Sequence, residues 1–151
     1  MTPTAEHLVS TSSNELDALF SDSLPGETPS GRGDGVVILA PGSFVARPFA
    51  KLAQLAFWQG KVFDADGRGL RNLVSPLRLK AIRAEVYPDR SWFDDKDCIV
   101  LDYSKTSKVA HWIRDEIREV APNVYLGLVF WGRRRLLKFA LVFPSPGAGS
   151  S

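Results

Sequence analysis

Residues 124–143 read VYLGLVFWGRRRLLKFALVF and are apolar over most of their length. Gly132 and the arginines after it are a turn signal that divides the stretch into two strands, 124–131 and 135–143. In the second strand both alternating sets of positions are apolar, whereas a one-sided antiparallel sheet alternates apolar with polar residues. The second face must therefore be covered by helices, a partner chain or an apolar ligand. A barrel with helices outside satisfies this requirement.

Further strands are predicted upstream, because β-prone segments recur between turn signals such as Asp66-Gly67 and Pro88-Asp89. These segments are residues 58–64, 69–75, 77–87 and 97–103. A short β-prone run at 36–40 adds a further possible strand, and the Gly-, Pro- and Ser-rich residues 21–35 before it are interpreted as a loop.

Three helices are predicted from local signals. Ser12 and Glu15 form a capping-box pattern that starts a short helix through Phe20. Residues 47–57 have Pro48 in a first turn and an apolar face. Residues 107–120 carry an apolar stripe with a period of about 3.6, which predicts an amphipathic helix packed on the sheet. The stripe consists of Val109, Trp112, Ile113, Ile117 and Val120.

The order of elements predicts one α+β domain over residues 12–143, with flexible tails at 1–11 and 144–151. The domain is expected to be a mainly antiparallel β-sheet or a partial barrel. One amphipathic helix would lie between the late strands, and short helices would lie at the N-terminus.

Composition excludes several classes of function. The 151 residues carry a net charge of only +2, whereas groove-binding nucleic-acid proteins usually have a clustered basic surplus. Cys98 is the one cysteine, and His7 and His111 lie far apart, so neither a disulfide nor a metal site is expected. No cofactor, signal peptide or membrane span is predicted, and a soluble, cytoplasmic protein is expected.

Glu116 is the first candidate site residue, because the predicted helix places its carboxylate inside an apolar stripe. It could orient a ligand or act in acid–base chemistry, but a structural ion pair is the favoured interpretation. Lys61, Arg83 and Arg118 are the candidate cations. His111 is interpreted as a solvated partner of Asp115 at i+4.

Arg83 and Tyr87 lie on one face of the strand 77–87 and are either ligand contacts in a lumen or, as favoured, surface pairs. Tyr103 could donate a hydrogen bond to a carbonyl group. The run Arg133–Arg135 is either an anion, phosphate or membrane contact or, as favoured, a solvated hairpin tip. The full set of candidate ligand-binding residues is Lys61, Arg83, Tyr87, Tyr103, Glu116, Arg118, Tyr125 and Trp131.

The segment WQGKVFD at 58–64 and the stretch from Asp102 to Leu141 carry a resemblance. They are similar to bacterial proteins with a Trp-x-Gly-Lys-x-Phe strand, an Ile-Arg-x-Val helix and a Tyr-Leu-Gly strand. The plan over residues 57–143 also resembles the small calycin or lipocalin-like families. That resemblance implies a β-barrel with a pocket, although six predicted strands are fewer than the ~8 of a closed lipocalin barrel.

These observations predict a small binding protein that holds an apolar or amphipathic molecule in a pocket walled by strands. A metal-independent lyase, isomerase or cyclase using the same cavity is the first alternative. The second alternative is a structural homodimer, in which another subunit covers the second apolar face.

Overall fold

The computed structural model describes residues 5–38, 59–73, 82–108 and 110–144 of the chain. Antiparallel strands form a closed barrel in which each strand pairs with its sequence neighbours and β1 closes the ring with β8. The helices are α1 Ala5–Val9 and α2 Ser13–Asp22, and the strands are β1 Gly31–Ile38, β2 Gly60–Phe63, β3 Gly69–Leu73, β4 Arg83–Arg90, β5 Asp97–Asp102, β6 Ile113–Ala121, β7 Val124–Trp131 and β8 Arg134–Val142.

Over β7 and β8 both faces of the barrel wall are apolar, and both are covered by the chain itself. Inside, residues such as Leu101, Ile117 and Leu141 form one buried cluster. Outside, Leu8 of α1 and Phe20 of α2 belong to a second buried cluster together with β-strand residues. The two-sided apolar strands expected from the sequence are therefore explained by a buried cluster inside the barrel and a helical cover outside it, and the antiparallel barrel is confirmed.

The two ends of the barrel differ. At the base end, where β6 turns into β7, aromatic rings close the lumen: Phe143 contacts Phe63 and Tyr125 with ring centroids 5.7 and 5.5 Å apart. The Tyr125 hydroxyl donates a hydrogen bond of 2.6 Å to the Glu27 carbonyl oxygen. Gly33 makes room for this plug, since a Cβ there would lie 2.5 Å from Cζ of Phe143. The opposite end, where β5 leads into β6, is called the mouth below.

The predicted helix at 107–120 is wrong, because residues 113–121 form strand β6. Ile113 and Ile117 do share a face, but it is the inner face of a strand rather than a helical stripe. Trp112, expected to be buried, is 58% exposed, and Val109 lies outside the described residues. The sequence of β6 does not alternate between apolar and polar residues, because the strand buries charged residues on both of its faces. The period of two that indicates a strand is therefore hidden.

The predicted turn at Pro88-Asp89 is also wrong, since β4 continues to Arg90. The N–H of Val86 points toward β3 and donates to the Arg68 carbonyl oxygen. Pro88 lies two residues further along β4, so its missing N–H would also point toward β3. β3 begins only at Gly69 and does not extend far enough to pair with Pro88. Proline is tolerated there because the strand needs no donor at that point.

Near the N-terminus, α2 confirms the capping-box prediction, because the Ser12 hydroxyl accepts a hydrogen bond of 3.2 Å from the Glu15 N–H. The expected tail 1–11 contains α1, and its Leu8 is fully buried. β1 begins at Gly31, inside the predicted loop 21–35. The predicted helix 47–57 and the tail beyond residue 144 lie outside the described residues.

Candidate functional site

A polar cluster lies inside the apolar lumen and is called the inner network: Lys61, Asn72, Tyr103 and Asp115. Lys61 on β2 is in register with Asn72 on β3, and its Nζ donates to Asn72 Oδ1 at 2.7 Å. The same Nζ donates to the Tyr103 hydroxyl at 2.7 Å and lies 3.1 Å from Asp115 Oδ2. Asn72 Nδ2 also donates to the Tyr103 hydroxyl, at 2.8 Å. Three strands and the residue that follows β5 thus converge on one buried ion pair.

The inner network has one unsatisfied atom. Asp115 is 3% exposed, and its Oδ1 accepts no hydrogen bond from any described residue. Leaving a buried polar atom without a partner costs about 1–3 kcal/mol, and more for a charged group. Because native proteins leave few such atoms, Asp115 Oδ1 indicates a place for a hydrogen-bond donor.

Burial fixes the protonation states in the inner network. Burial raises the pKa of Asp115, and the attraction of Lys61 offsets this only in part. Burial alone lowers the pKa of Lys61, but Tyr103 and Asp115 outweigh it and raise the pKa above its ordinary value. Burial also raises the pKa of Tyr103. The lumen therefore presents an ammonium group, a protonated phenol and a carboxyl group that binds a proton more readily than usual.

The inner wall becomes accessible toward the mouth. Ile82, Ile113 and Val129 pack against the inner cluster but are only partly buried. Trp131 is on the same side of β7 as Val129, pairs with Ile113 across to β6, and is 46% exposed. The mouth therefore combines a partly buried apolar rim with the polar inner network.

The opposite face of β6 carries a second buried set, called the outer network: Arg114, Glu116 and Arg118 with their partners in the β4–β5 turn. Glu116 is fully buried, as predicted, but its cation is Arg114, whose NH2 lies 3.0 Å from Glu116 Oε2. The carboxylate also accepts from the Ser91 hydroxyl at 2.5 Å and from the Trp92 N–H at 2.7 Å. Residues two apart share a face on a strand, which a helix would not allow.

Arg118 is the most completely bonded side chain of the outer network. Its guanidinium forms two hydrogen bonds to the Asp94 carboxylate, at 2.6 and 2.8 Å. Its other donors bind the carbonyl oxygens of Phe20, Lys96 and Asp97 at 2.8, 3.1 and 3.0 Å. All five N–H donors of the guanidinium are thus used, and they tie α2 and the β4–β5 turn to β6. The hydrogen bonds from Arg118 hold the pKa of Asp94 at about 2.

The structure places the sequence-predicted candidates at different sites. Lys61 and Tyr103 meet in the inner network. Tyr125 and Trp131 lie on the inner face at opposite ends of the barrel, and Glu116 and Arg118 lie in the outer network.

Arg83 and Tyr87 are on the outside, in agreement with the favoured interpretation: Arg83 pairs with Asp64 at 2.8 Å, and the Tyr87 hydroxyl donates to Asp102 at 2.6 Å. The predicted His111–Asp115 pair is wrong, because Asp115 faces the lumen and His111 Nδ1 contacts the Lys108 carbonyl oxygen.

Sequence reasoning missed Asn72 and Asp115. A period-two interpretation of Ile113-Arg-Asp-Glu-Ile117 would have placed Asp115 between two inward isoleucines.

Within the described ranges, no three His, Cys, Asp or Glu side chains are grouped so as to hold a metal ion. Cys98 is buried, and burial raises the pKa of its thiol to about 12, so it remains a protonated core thiol. Neither described helix has the length and apolar character needed to cross a bilayer.

Comparison with known proteins supports the fold and no more. No family model matches the chain, and no curated protein matches it. A crystal structure of a protein from Thermomonospora curvata is similar, with a TM-score of 0.58 and 17% identity over 87% of each chain. At 17% identity, this similarity shows a shared fold only.

Proposed function

We propose that the chain is a small-molecule binding protein whose lumen holds an amphipathic ligand with a hydrogen-bond donor. The observation that carries the proposal is Asp115 Oδ1, a buried carboxylate oxygen without a partner among the described residues. A ligand hydroxyl or amine would supply that partner, and the apolar mouth would cover the rest of the molecule.

The energetics of the inner network support a ligand role over a structural one. Replacing a buried ion pair with apolar residues of similar volume is often neutral or stabilising by about 1–4 kcal/mol. An apolar lumen of Phe, Leu and Ile would thus hold the barrel together at least as well as Lys61 and Asp115 do. Their presence inside such a lumen is explained if they recognise a polar group.

Ligand chemistry follows from the two sides of the site. Lys61 and Asn72 donate to the Tyr103 hydroxyl, which in turn donates to Asp115 Oδ2 at 3.4 Å, so the free acceptor Oδ1 of Asp115 sets the preference. A neutral or cationic donor fits this acceptor, whereas an anionic group would be repelled by the carboxylate. The partly buried rim of Ile82, Ile113 and Val129 favours an apolar body on the ligand.

A pair of matched probes tests this preference. The barrel should bind 2-naphthol about tenfold more tightly than 2-methoxynaphthalene, which has a similar body but no donor. Fluorescence titration measures both affinities. In Lys61→Met/Asp115→Leu the affinities should become equal, because the acceptor has been removed.

Arg83→Gln/Asp64→Asn is the matched control, since it removes an ion pair of the same charge from the outside of the barrel. It should keep the preference for 2-naphthol. Equal affinities in the unaltered protein, or a preference that survives in the inner double variant, would show that Asp115 does not recognise a donor.

A metal-independent enzyme using the same residues is the second candidate. The 2.7 Å contact between Lys61 Nζ and the Tyr103 hydroxyl favours it, because a phenol beside an ammonium is placed to give a proton to a bound carbonyl group. Tyr103→Phe distinguishes the two candidates. Both candidates predict that the variant keeps its affinity for 2-naphthol. Only the enzyme predicts that the variant also loses turnover.

A further inference from the structure

The loop between β5 and β6 forms a second concave site, outside the lumen and open to solvent. It has a volume of about 430 Å³ and is called the rim pocket. Its lining residues are Ser104, Lys105, Thr106, Ser107, Lys108 and His111. None of them is acidic, so the described lining carries positive charge without a carboxylate to balance it.

Most of the polar groups in the rim pocket are available as donors. The Thr106 hydroxyl is used, because it donates to the Arg83 carbonyl oxygen at 2.5 Å. Ser107 Oγ only accepts, from the Ala110 N–H at 3.0 Å, so its own hydrogen is free to donate. His111 Nδ1 faces the Lys108 carbonyl oxygen at 2.9 Å, which requires the proton on Nδ1. In the neutral ring Nε2 is then an acceptor, so the donors of the pocket are its lysines and serines.

Lys105 and Lys108 differ from most cations of the described ranges. Eight other Lys or Arg side chains there form ion pairs within 4 Å, on the surface as well as in the core. Neither loop lysine forms one with a described residue. The nearest carboxylate in sequence, Asp102, is engaged by the Ser104 N–H at 2.8 Å and by the Tyr87 hydroxyl at 2.6 Å.

We propose that the rim pocket binds a phosphate group, either as a free phosphate ester or as the head group of an anionic lipid. Two ammonium groups and two serine hydroxyls around one concavity match the several acceptor oxygens of a tetrahedral dianion. A planar carboxylate would be better matched by an arginine fork, and none of the described lining residues is an arginine. This proposal is independent of the ligand in the lumen.

The two histidines of the chain make the test site-specific, since His111 lines the rim pocket and His7 lies on α1. Inorganic phosphate is titrated at constant ionic strength, with sodium chloride as the reference, while both imidazole rings are followed by NMR. Phosphate should move the His111 resonances saturably and leave those of His7 in place. In Lys105→Gln/Lys108→Gln the affinity should fall by roughly tenfold or more.

Arg68→Gln/Arg71→Gln is the charge-matched control, because it also removes two exposed cations outside the pocket, and it should keep the phosphate affinity. A parallel arm replaces phosphate by phosphatidylcholine vesicles with and without phosphatidic acid, read by co-sedimentation. Lysine-dependent binding of phosphate identifies a free ester as the source, and lysine-dependent binding of the acidic vesicles alone identifies a lipid head group. If neither binds, or if binding is the same in the lysine variant, the proposal is overturned.

Discussion

The two faces of strand β6 bury charge in different ways. On the outer face, Arg118 uses all its donors, and Glu116 accepts from three neighbouring residues. On the inner face, one residue away, Asp115 has an oxygen that no described residue contacts. Both sets are equally buried, so the difference lies in how completely the hydrogen bonds are formed.

That difference separates structural charge from candidate functional charge. The outer network joins α2, the β4–β5 turn and the barrel, and any loss from it leaves a buried charge alone. The inner network crosses the lumen between strands that the closed barrel already holds together, so we expect its contribution to stability to be smaller. Three experiments test this contrast, from the largest expected effect to the smallest.

Arg118→Met should lower the free energy of unfolding by about 3–5 kcal/mol, because it removes the cation that pairs with Asp94 together with three hydrogen bonds to carbonyl oxygens. Urea denaturation followed by circular dichroism measures the change. Arg135→Met is the matched control: Arg135 also pairs with an aspartate, Asp17, and lies over a phenylalanine ring, but it is 37% exposed.

The control should lose at most about 1 kcal/mol, as surface pairs do. Similar losses in the two variants would show that burial and complete bonding do not distinguish Arg118.

Asp94→Asn should reduce stability at neutral pH by about 1–2 kcal/mol, and the difference should disappear in acid. The pKa of Asp94 is about 2 in the folded chain against an ordinary 3.8. A lowered pKa stabilises the fold above pH 3.8, and this contribution is lost as the pH falls toward 2.

For Asp115→Asn, the difference in stability from the unaltered protein should change with pH in the opposite direction, because burial raises the pKa of Asp115. Its contribution is present below the unfolded pKa and is lost as the pH rises. The urea midpoint of each variant is measured at several pH values from 2 to 7, a range that brackets the ordinary aspartate pKa of about 3.9. Parallel curves for the two aspartates would remove the contrast between the networks.

Lys61→Met/Asp115→Leu should leave the free energy of unfolding within about 1 kcal/mol of its original value, or raise it. The variant replaces an ion pair with apolar side chains in an apolar lumen. Thermal unfolding measures the effect at pH 7, where an aspartate with the ordinary pKa of about 3.9 is ionised. A loss comparable to that of Arg118→Met would make the inner network structural and would weaken the case for a ligand at Asp115.

Much of the barrel could be predicted from local patterns. β7 was predicted with its observed bounds, and β8 is shifted by one residue, because Gly132 marks the turn between two apolar runs. The 107–120 segment failed because Ile113, Ile117 and Val120 satisfy a helical spacing while the charged residues between them are buried by partners far away in sequence.

The site could be predicted only in part. Lys61 and Tyr103 were named as candidates from separate strands, but 42 residues separate them, and nothing local indicates that they meet. Assigning a helix to 107–120 also put Asp115 on a solvated face. The correct face of Asp115 depends on the pairing of β6 with β5 and β7, which is a property of the whole barrel.

The closure of the ring constrains how the chain can fold. β1 pairs with β8, so the last seam joins residues about 100 positions apart, such as Ile38 and Lys138. Contacts of such long separation form slowly, because a long loop must be closed before they stabilise anything. During synthesis the strands from β1 to β7 can assemble only as an open sheet with two unpaired edges. Those edges can pair with other chains until β8 has been made and has joined β1, so β8 is the strand whose arrival protects the nascent barrel from aggregation.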